Sequence, residues 1–173
     1  MFLGFDCETS GLAREGLPPD DPSQPLLIKP EGWSIEPEAE RVHGIPTARA
    51  LRFGVRLGTA LLALHDMANA ARTIFAHNMQ FDRLIVTAAL HRAGATGNWW
   101  ARRAGDMRCT MEEATDYCQL PGQYGRFRWP SLEEARAILC PTLPPFKSTH
   151  DALSDIEAAA DVLREIDRRK EAA

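Results

Sequence analysis

Long apolar runs are the first thing missing. No stretch of the 173 residues approaches the roughly 18 apolar residues that a membrane span needs. The first apolar run is preceded by no basic segment and is interrupted by Asp6, so no secretory leader is expected and the cytoplasm is the expected compartment. Cysteine is scarce: Cys7, Cys109, Cys118 and Cys140 form no C-x-x-C pair and match no zinc-motif spacing. Reduced thiols are expected, with Cys7 read as a small buried hydrophobe. An excess of positive charge is also missing. The net charge of −4 argues against a broad basic face that grips nucleic acid, but not against an enzyme that meets phosphates through bound metal ions. A glycine-rich phosphate loop is absent too, which sets aside a nucleotide-binding α/β protein.

What is present suits one soluble domain over residues 1–173, with 45% hydrophobic and 25% charged residues and enough chain for a sizeable core. Phe2 to Cys7 reads as a short strand. Residues i and i+2 of a strand share a face, so Leu3, Phe5 and Cys7 point to a core while Asp6 and Glu8 point the other way together. Residues 14–25, with four prolines and three acids, form a loop, and LLIKP (26–30) is a candidate second strand stopped by Pro30. One helical turn is expected around 37–41. A helical pattern runs from Thr47, broken near Gly54 and Gly58, and continues through Leu57, Leu61, Leu64, Ala68 and Ala71. RTIFAH (72–77) predicts a buried strand, followed by a helix with Asn78 as its cap that ends at Gly94. DMRCT (106–110) predicts another strand and a short helix through Tyr117. Ser131 and Glu134 have capping-box spacing for a helix through Leu139. The last helix opens at Thr149 or His150. Strands interleaved with helices give an α/β domain.

Three acid-bearing places fall at junctions between these elements: Asp6-Cys7-Glu8, then His77-Asn78-Met79-Gln80-Phe81-Asp82, then His150 to Asp155. Four carboxylates converging in water-poor surroundings repel one another by several kcal/mol. A divalent cation relieves that repulsion, and an all-oxygen site selects hard ions such as Mg²⁺ or Mn²⁺.

In order, these blocks read D-x-E-T-S-G, H-N-x-x-F-D and H-D-A-x-x-D. They resemble the motifs of the DnaQ-like 3′→5′ exonucleases of the ribonuclease H-like superfamily, and more closely the DEDDh branch, named for four acids and a histidine. The segment ERVHGIP resembles that family as well, and the resemblance runs from Phe2 to about Ile166. It implies a phosphodiester hydrolase that uses two Mg²⁺ or Mn²⁺ ions about 4 Å apart. Asp6 would bridge the ions, Glu8 and Asp155 would complete the site that holds the attacking water, and Asp82 would act on the second ion. His150 would be the general base, because imidazole titrates near neutrality. Its five-residue separation from Asp155 amounts to roughly 140° around a helix, which places it on the loop entering that helix. Thr9 and Leu12 would contact the 3′-terminal nucleotide. His43 and Ile45 would join a substrate rim or simply form a turn.

Other positions carry two readings. His77 and Asn78 are expected to shape the strand–helix junction, and Phe81 to lie in the core. Trp99-Trp100 with Arg102-Arg103 mixes π faces and charge as single-strand binders do, against the plainer reading of a packed aromatic loop. Arg126, Arg128 and Lys147 are read as local basic spots.

The resemblance implies a mixed sheet of about five strands flanked by helices. About 30 residues separate Gly11 from His43, too few for the family's two antiparallel strands besides the proline-rich loop. A reduced sheet is therefore expected, with the second strand missing, LLIK pairing on the strand of Asp6, and an exposed edge that a partner could cover. The expected activity is release of nucleoside monophosphates from single-stranded 3′ ends, DNA favoured over RNA. A polymerase or a second copy of the chain is the expected further partner. The alternatives are an oligoribonuclease-like RNA exonuclease and a non-catalytic nucleic-acid-binding module that keeps the fold.

Overall fold

Among the described residues three short strands lie side by side, all parallel, in the order β1 (Phe2–Gly4), β2 (Thr73–Ala76), β3 (Met107–Cys109). The computed structural model describes residues 2–7, 26–95, 103, 105–148 and 152–172. Glu8, Thr9, Leu12 and His150, and with them Trp99, Trp100 and Arg102, lie outside the described residues. Parallel neighbours need long crossovers, and the chain supplies them as helices. Between β1 and β2 come α1 (Pro37–His43), α2 (Thr47–Phe53) and α3 (Leu57–Ala70). Between β2 and β3 comes α4 (Met79–Arg92), and after β3 follow α5 (Thr110–Cys118), α6 (Leu132–Leu139) and α7 (Ala152–Glu171). No helix among the described residues is long and apolar enough to cross a membrane.

Period-two alternation sorts the sheet's side chains between two layers. Leu3, Phe5, Ile74 and Ala76 bury against Leu61 and Ala68 of α3 and Met79, Val86 and Ala89 of α4. Phe75, from the opposite face, packs with Ala159 and Leu163 of α7. A further cluster joins α5, α6 and α7 through Ala114, Ala135, Leu139, Val162 and Ile166. Arg108 of β3 bonds Glu113 of α5 through two nitrogens and reaches Asp167 of α7.

Gly4 sets how closely α7 approaches the sheet. A Cβ there would stand 2.6 Å from the Phe75 ring and 2.7 Å from Cγ2 of Ile156. Gly4→Ala is therefore expected to cost about 1–3 kcal/mol through overpacking, read as a lower denaturation midpoint at unchanged m-value. The capping box foreseen for α6 is formed in full: Ser131 Oγ accepts from Glu134 N, and the Glu134 carboxylate accepts from Ser131 N. Ser131→Ala is expected to cost about 1 kcal/mol in the same measurement.

Two expectations need correction. The sheet is not mixed among the described residues, since both ladders are parallel. LLIK does not pair on the strand of Asp6. Lys29 N donates to the Val55 carbonyl at 2.7 Å, and Val55 N donates to the Leu27 carbonyl at 2.8 Å, a single parallel bridge between Ile28 and Val55. The reason is local. Leu27 packs with Ile35, Ile45 and Ala50 in a small cluster of its own, so the segment satisfies its backbone and buries its apolar side chain without the sheet.

Candidate active site

The ladder continues one residue past β1, where Phe5 N donates to the Phe75 carbonyl at 3.1 Å. Asp6 follows, two residues beyond Gly4 and so on the face that meets α7. There it shares the wall of a cleft of about 630 Å³ with Asp155, from the first turn of α7. The adjacent Ile156, the residue that crowds Gly4, lines the cleft too. The close packing that demands glycine at position 4 is thus what brings the two ends of the chain together.

Asp82, in the first turn of α4, is almost fully buried. Its Oδ1 accepts from Cys7 N at 2.7 Å, which ties the exit of β1 to α4. Burial pushes its carboxyl up to about 7, and the charge of nearby Asp6 pushes the same way, while the bond from Cys7 N opposes both. Asp82 therefore stands behind the cleft wall, beside Asp6, in a setting that resists a second negative charge.

Asp155 is held from the loop before α7. Ser148 Oγ donates to Asp155 Oδ2 at 2.9 Å, and Ser148 N donates to Glu133 Oε1 at 2.7 Å. His77, at the end of β2, forms the floor. Its Nε2 lies 3.2 Å from the Pro130 carbonyl, which only accepts, so Nε2 carries the hydrogen. Its Nδ1 is then free to accept from the Thr110 hydroxyl at 3.0 Å. Burial lowers this imidazole to about 4. These bonds tie the residue after β2 to the start of α5 and to the segment before α6.

Other sequence-derived assignments change. His43 and Ile45 are both buried, neither lines the cleft, and His43 Nδ1 accepts from Ile45 N at 3.1 Å. Of the two readings given for these residues, this bond belongs to the turn. Asn78 is no side-chain cap. It adopts the left-handed conformation, φ 70° and ψ 50°, with no capping bond from its side chain, and Asn tolerates that region better than most residues. Arg103 is not offered to a ligand. It donates to the carbonyls of Ala68 and Ala71 at 2.7 and 2.6 Å and to Asp106 at 2.9 Å, closing the C-terminal end of α3. Phe81, expected in the core, is 46% exposed and lines the cleft. The helical pattern could have shown this: Met79, Asp82, Val86 and Ala89 are the buried stripe of α4, and position 81 falls off it.

Among the described residues no group of three or more His, Cys, Asp or Glu side chains is placed to hold a metal ion. Three acids line the cleft, Asp6, Glu133 and Asp155. Glu133 Oε1 accepts from Ser148 N, and Asp6 and Asp155 offer carboxylate oxygens, the donors of a hard divalent cation and not of zinc. A cation at Asp6 would also relieve the repulsion that suppresses ionisation of Asp82.

No protein-family profile matches the chain, and no curated protein matches it. Among solved structures, the crystal structure of E. coli Exonuclease I in complex with a dA16 oligonucleotide matches with a TM-score of 0.61 at 15% identity. The chain shares its fold with part of a nuclease. The match covers 83% of this chain and 34% of that one, so the chain spans about a third of that protein's length.

Proposed function

We propose that the chain is a metal-dependent 3′→5′ exonuclease that releases nucleoside monophosphates from single-stranded nucleic acid ends, with DNA favoured. The observation that carries this reading is the meeting of Asp6 and Asp155, from opposite ends of the sequence, on one cleft wall. The fold shared with part of a nuclease and the order of the three acid-bearing blocks support it.

Asp6, Glu8 and Asp155 would hold one divalent ion, and Asp82 with Asp6 the second. Such ions supply positive charge to the scissile phosphate and acidity to water. The chain's own groups do the rest. His150 takes a proton from the attacking water onto its imidazole. Ser148 Oγ orients one oxygen of Asp155, and Cys7 N orients one oxygen of Asp82. Phe81, Met111 and Ile156 present apolar surface on the cleft to the terminal base and sugar, and Thr9 and Leu12 contact the same nucleotide.

The test is digestion of a 3′-labelled single strand with Mg²⁺ or Mn²⁺. The expected result is immediate release of labelled mononucleotide, stopped by a chelator and lost in His150→Ala. Cleavage that survives chelation, or release of internal fragments first, would overturn the reading. Tight strand binding without hydrolysis in either metal would replace it with a non-catalytic binding module.

A further inference from the structure

The chain from Leu120 to Trp129 leaves α5, turns back on itself and delivers Pro130 and Ser131 to the cleft wall. It is a compact hairpin. Gly122 N donates to the Arg126 carbonyl, Arg126 N to the Gln123 carbonyl, and Arg128 N to the Leu120 carbonyl, at 3.0, 3.1 and 3.0 Å. Pro121 and Phe127 form an antiparallel bridge. A Cβ on Gly122 would strike the backbone of Arg126 and Arg128, so the two arms are in close contact. Arg128 pins the hairpin to α6 by donating from its two terminal guanidinium nitrogens to the Glu134 carboxylate.

This hydrogen-bonded hairpin carries aromatic side chains that it does not bury. Tyr124 at the tip is 96% exposed, Trp129 58% and Phe127 46%. Tyr124 also sits at φ 56°, a region that bulky side chains rarely adopt. Neither packing nor backbone preference accounts for tyrosine there. Arg126 alternates with the aromatics, is exposed, and makes no ion pair among the described residues.

We infer that the 120–129 hairpin is a docking arm for the part of a single-stranded nucleic acid that lies beyond the terminal nucleotide, stacking bases on Tyr124, Phe127 and Trp129 and pairing a phosphate with Arg126. Exposed π faces interleaved with cationic side chains are what unpaired bases and their backbone recognise, without regard to sequence. The arm is continuous with the cleft: Pro130 and Ser131 line it, and the tip lies within ~20 Å along the chain, at ~3.3 Å per extended residue. A strand whose end occupies the cleft therefore has the hairpin within reach of its next few nucleotides. This inference rests on the nuclease reading above and assigns to that site a preference for strands long enough to reach the arm.

The test separates binding from turnover. Affinity for a labelled oligothymidylate is measured in chelator for wild type, the double variant Tyr124→Ala/Trp129→Ala, and Arg126→Glu. The aromatic variant is expected to bind on the order of tenfold or more weakly, and Arg126→Glu to lower the log–log salt slope by about one. In metal, kcat/KM on the long strand falls in parallel, while kcat/KM on a trinucleotide is unchanged. Thermal melting confirms folding, since the altered side chains are exposed. Equal affinity in wild type and both variants, or equal losses on long and short substrates, would overturn the inference. Hairpin-dependent binding without hydrolysis would sink the exonuclease reading and leave the docking arm standing. Hydrolysis indifferent to the hairpin would do the reverse.

Discussion

Asp6→Asn is expected to lower turnover about a thousandfold or more while making the metal-free chain more stable at alkaline pH. The first half follows from position. Asp6 shares the cleft wall with Asp155 and stands next to Asp82, so it is the carboxylate that both proposed ions would use. A thousandfold loss corresponds to about 4 kcal/mol of transition-state stabilisation. The second half follows from repulsion. The folded chain holds Asp82 up near 7, partly through the charge of Asp6, against an unfolded value near 3.9. A carboxyl raised in this way costs stability as pH climbs from its unfolded pKa through its folded one. Removing the Asp6 charge removes part of that cost. At pH 8 in chelator, Asp6→Asn should melt higher by no more than about 2–4 °C, the equivalent of about 1 kcal/mol once solvent screening is allowed for. At pH 5, where Asp82 is protonated, the gain should vanish. Activity within tenfold of wild type, or a variant that melts lower at pH 8, would contradict this account.

Acidification should expose a second liability, in His77. Its imidazole is neutral in the fold, held between the Thr110 hydroxyl and the Pro130 carbonyl, with burial pulling it down to about 4. Unfolded, it titrates near 6.5. The unfolded chain therefore takes up a proton as pH falls through 6.5, and the folded chain does not until about 4. Stability tied to the neutral ring is complete above pH 6.5 and is lost below it, by about 2 kcal/mol at pH 5 and about 3 kcal/mol near pH 4. Asp82 works in the opposite direction over the same range, so the contribution is read as a difference. Wild type is expected to lose its advantage over His77→Gln between pH 7.5 and pH 5 in parallel denaturant titrations. A gap that stays constant with pH would show that the ring is solvated. The same protonation puts a charge on the cleft lining, so the proposed activity should fall with stability on the acid side.

Much of the architecture was legible because it rests on short-range physics. TIFA is apolar and β-branched, and forms β2. Ser131 and Glu134 cap α6 through bonds spanning three residues. The strand reading of MRC and the helices on either side of it depend on the same local pattern. The alternation in FLGFDC correctly sent Leu3 and Phe5 to the core, and so placed Asp6 on the other face.

Where the sequence pattern failed, a contact distant in the chain had the deciding vote. LLIK has strand composition, but Val55 and the Ile35–Ile45–Ala50 cluster satisfy it away from the sheet. His43 and Ile45 read equally as a rim or a turn. Ile45 is drawn into that cluster, and His43 is buried beside it in the chain with its Nδ1 accepting from Ile45 N. Phe81 is as apolar as any core residue, and its exposure depends on which face of α4 meets β2.

By themselves, the residues determined that carboxylates would stand at three junctions, because alternation and capping are local rules that composition and spacing obey. Only the tertiary structure decided that Asp6 and Asp155 share a cleft while Asp82 is buried behind it. That outcome depends on how near α7 can come to β1, and the approach is set by a glycine fitting against Phe75 and Ile156, residues about 70 and 150 positions away.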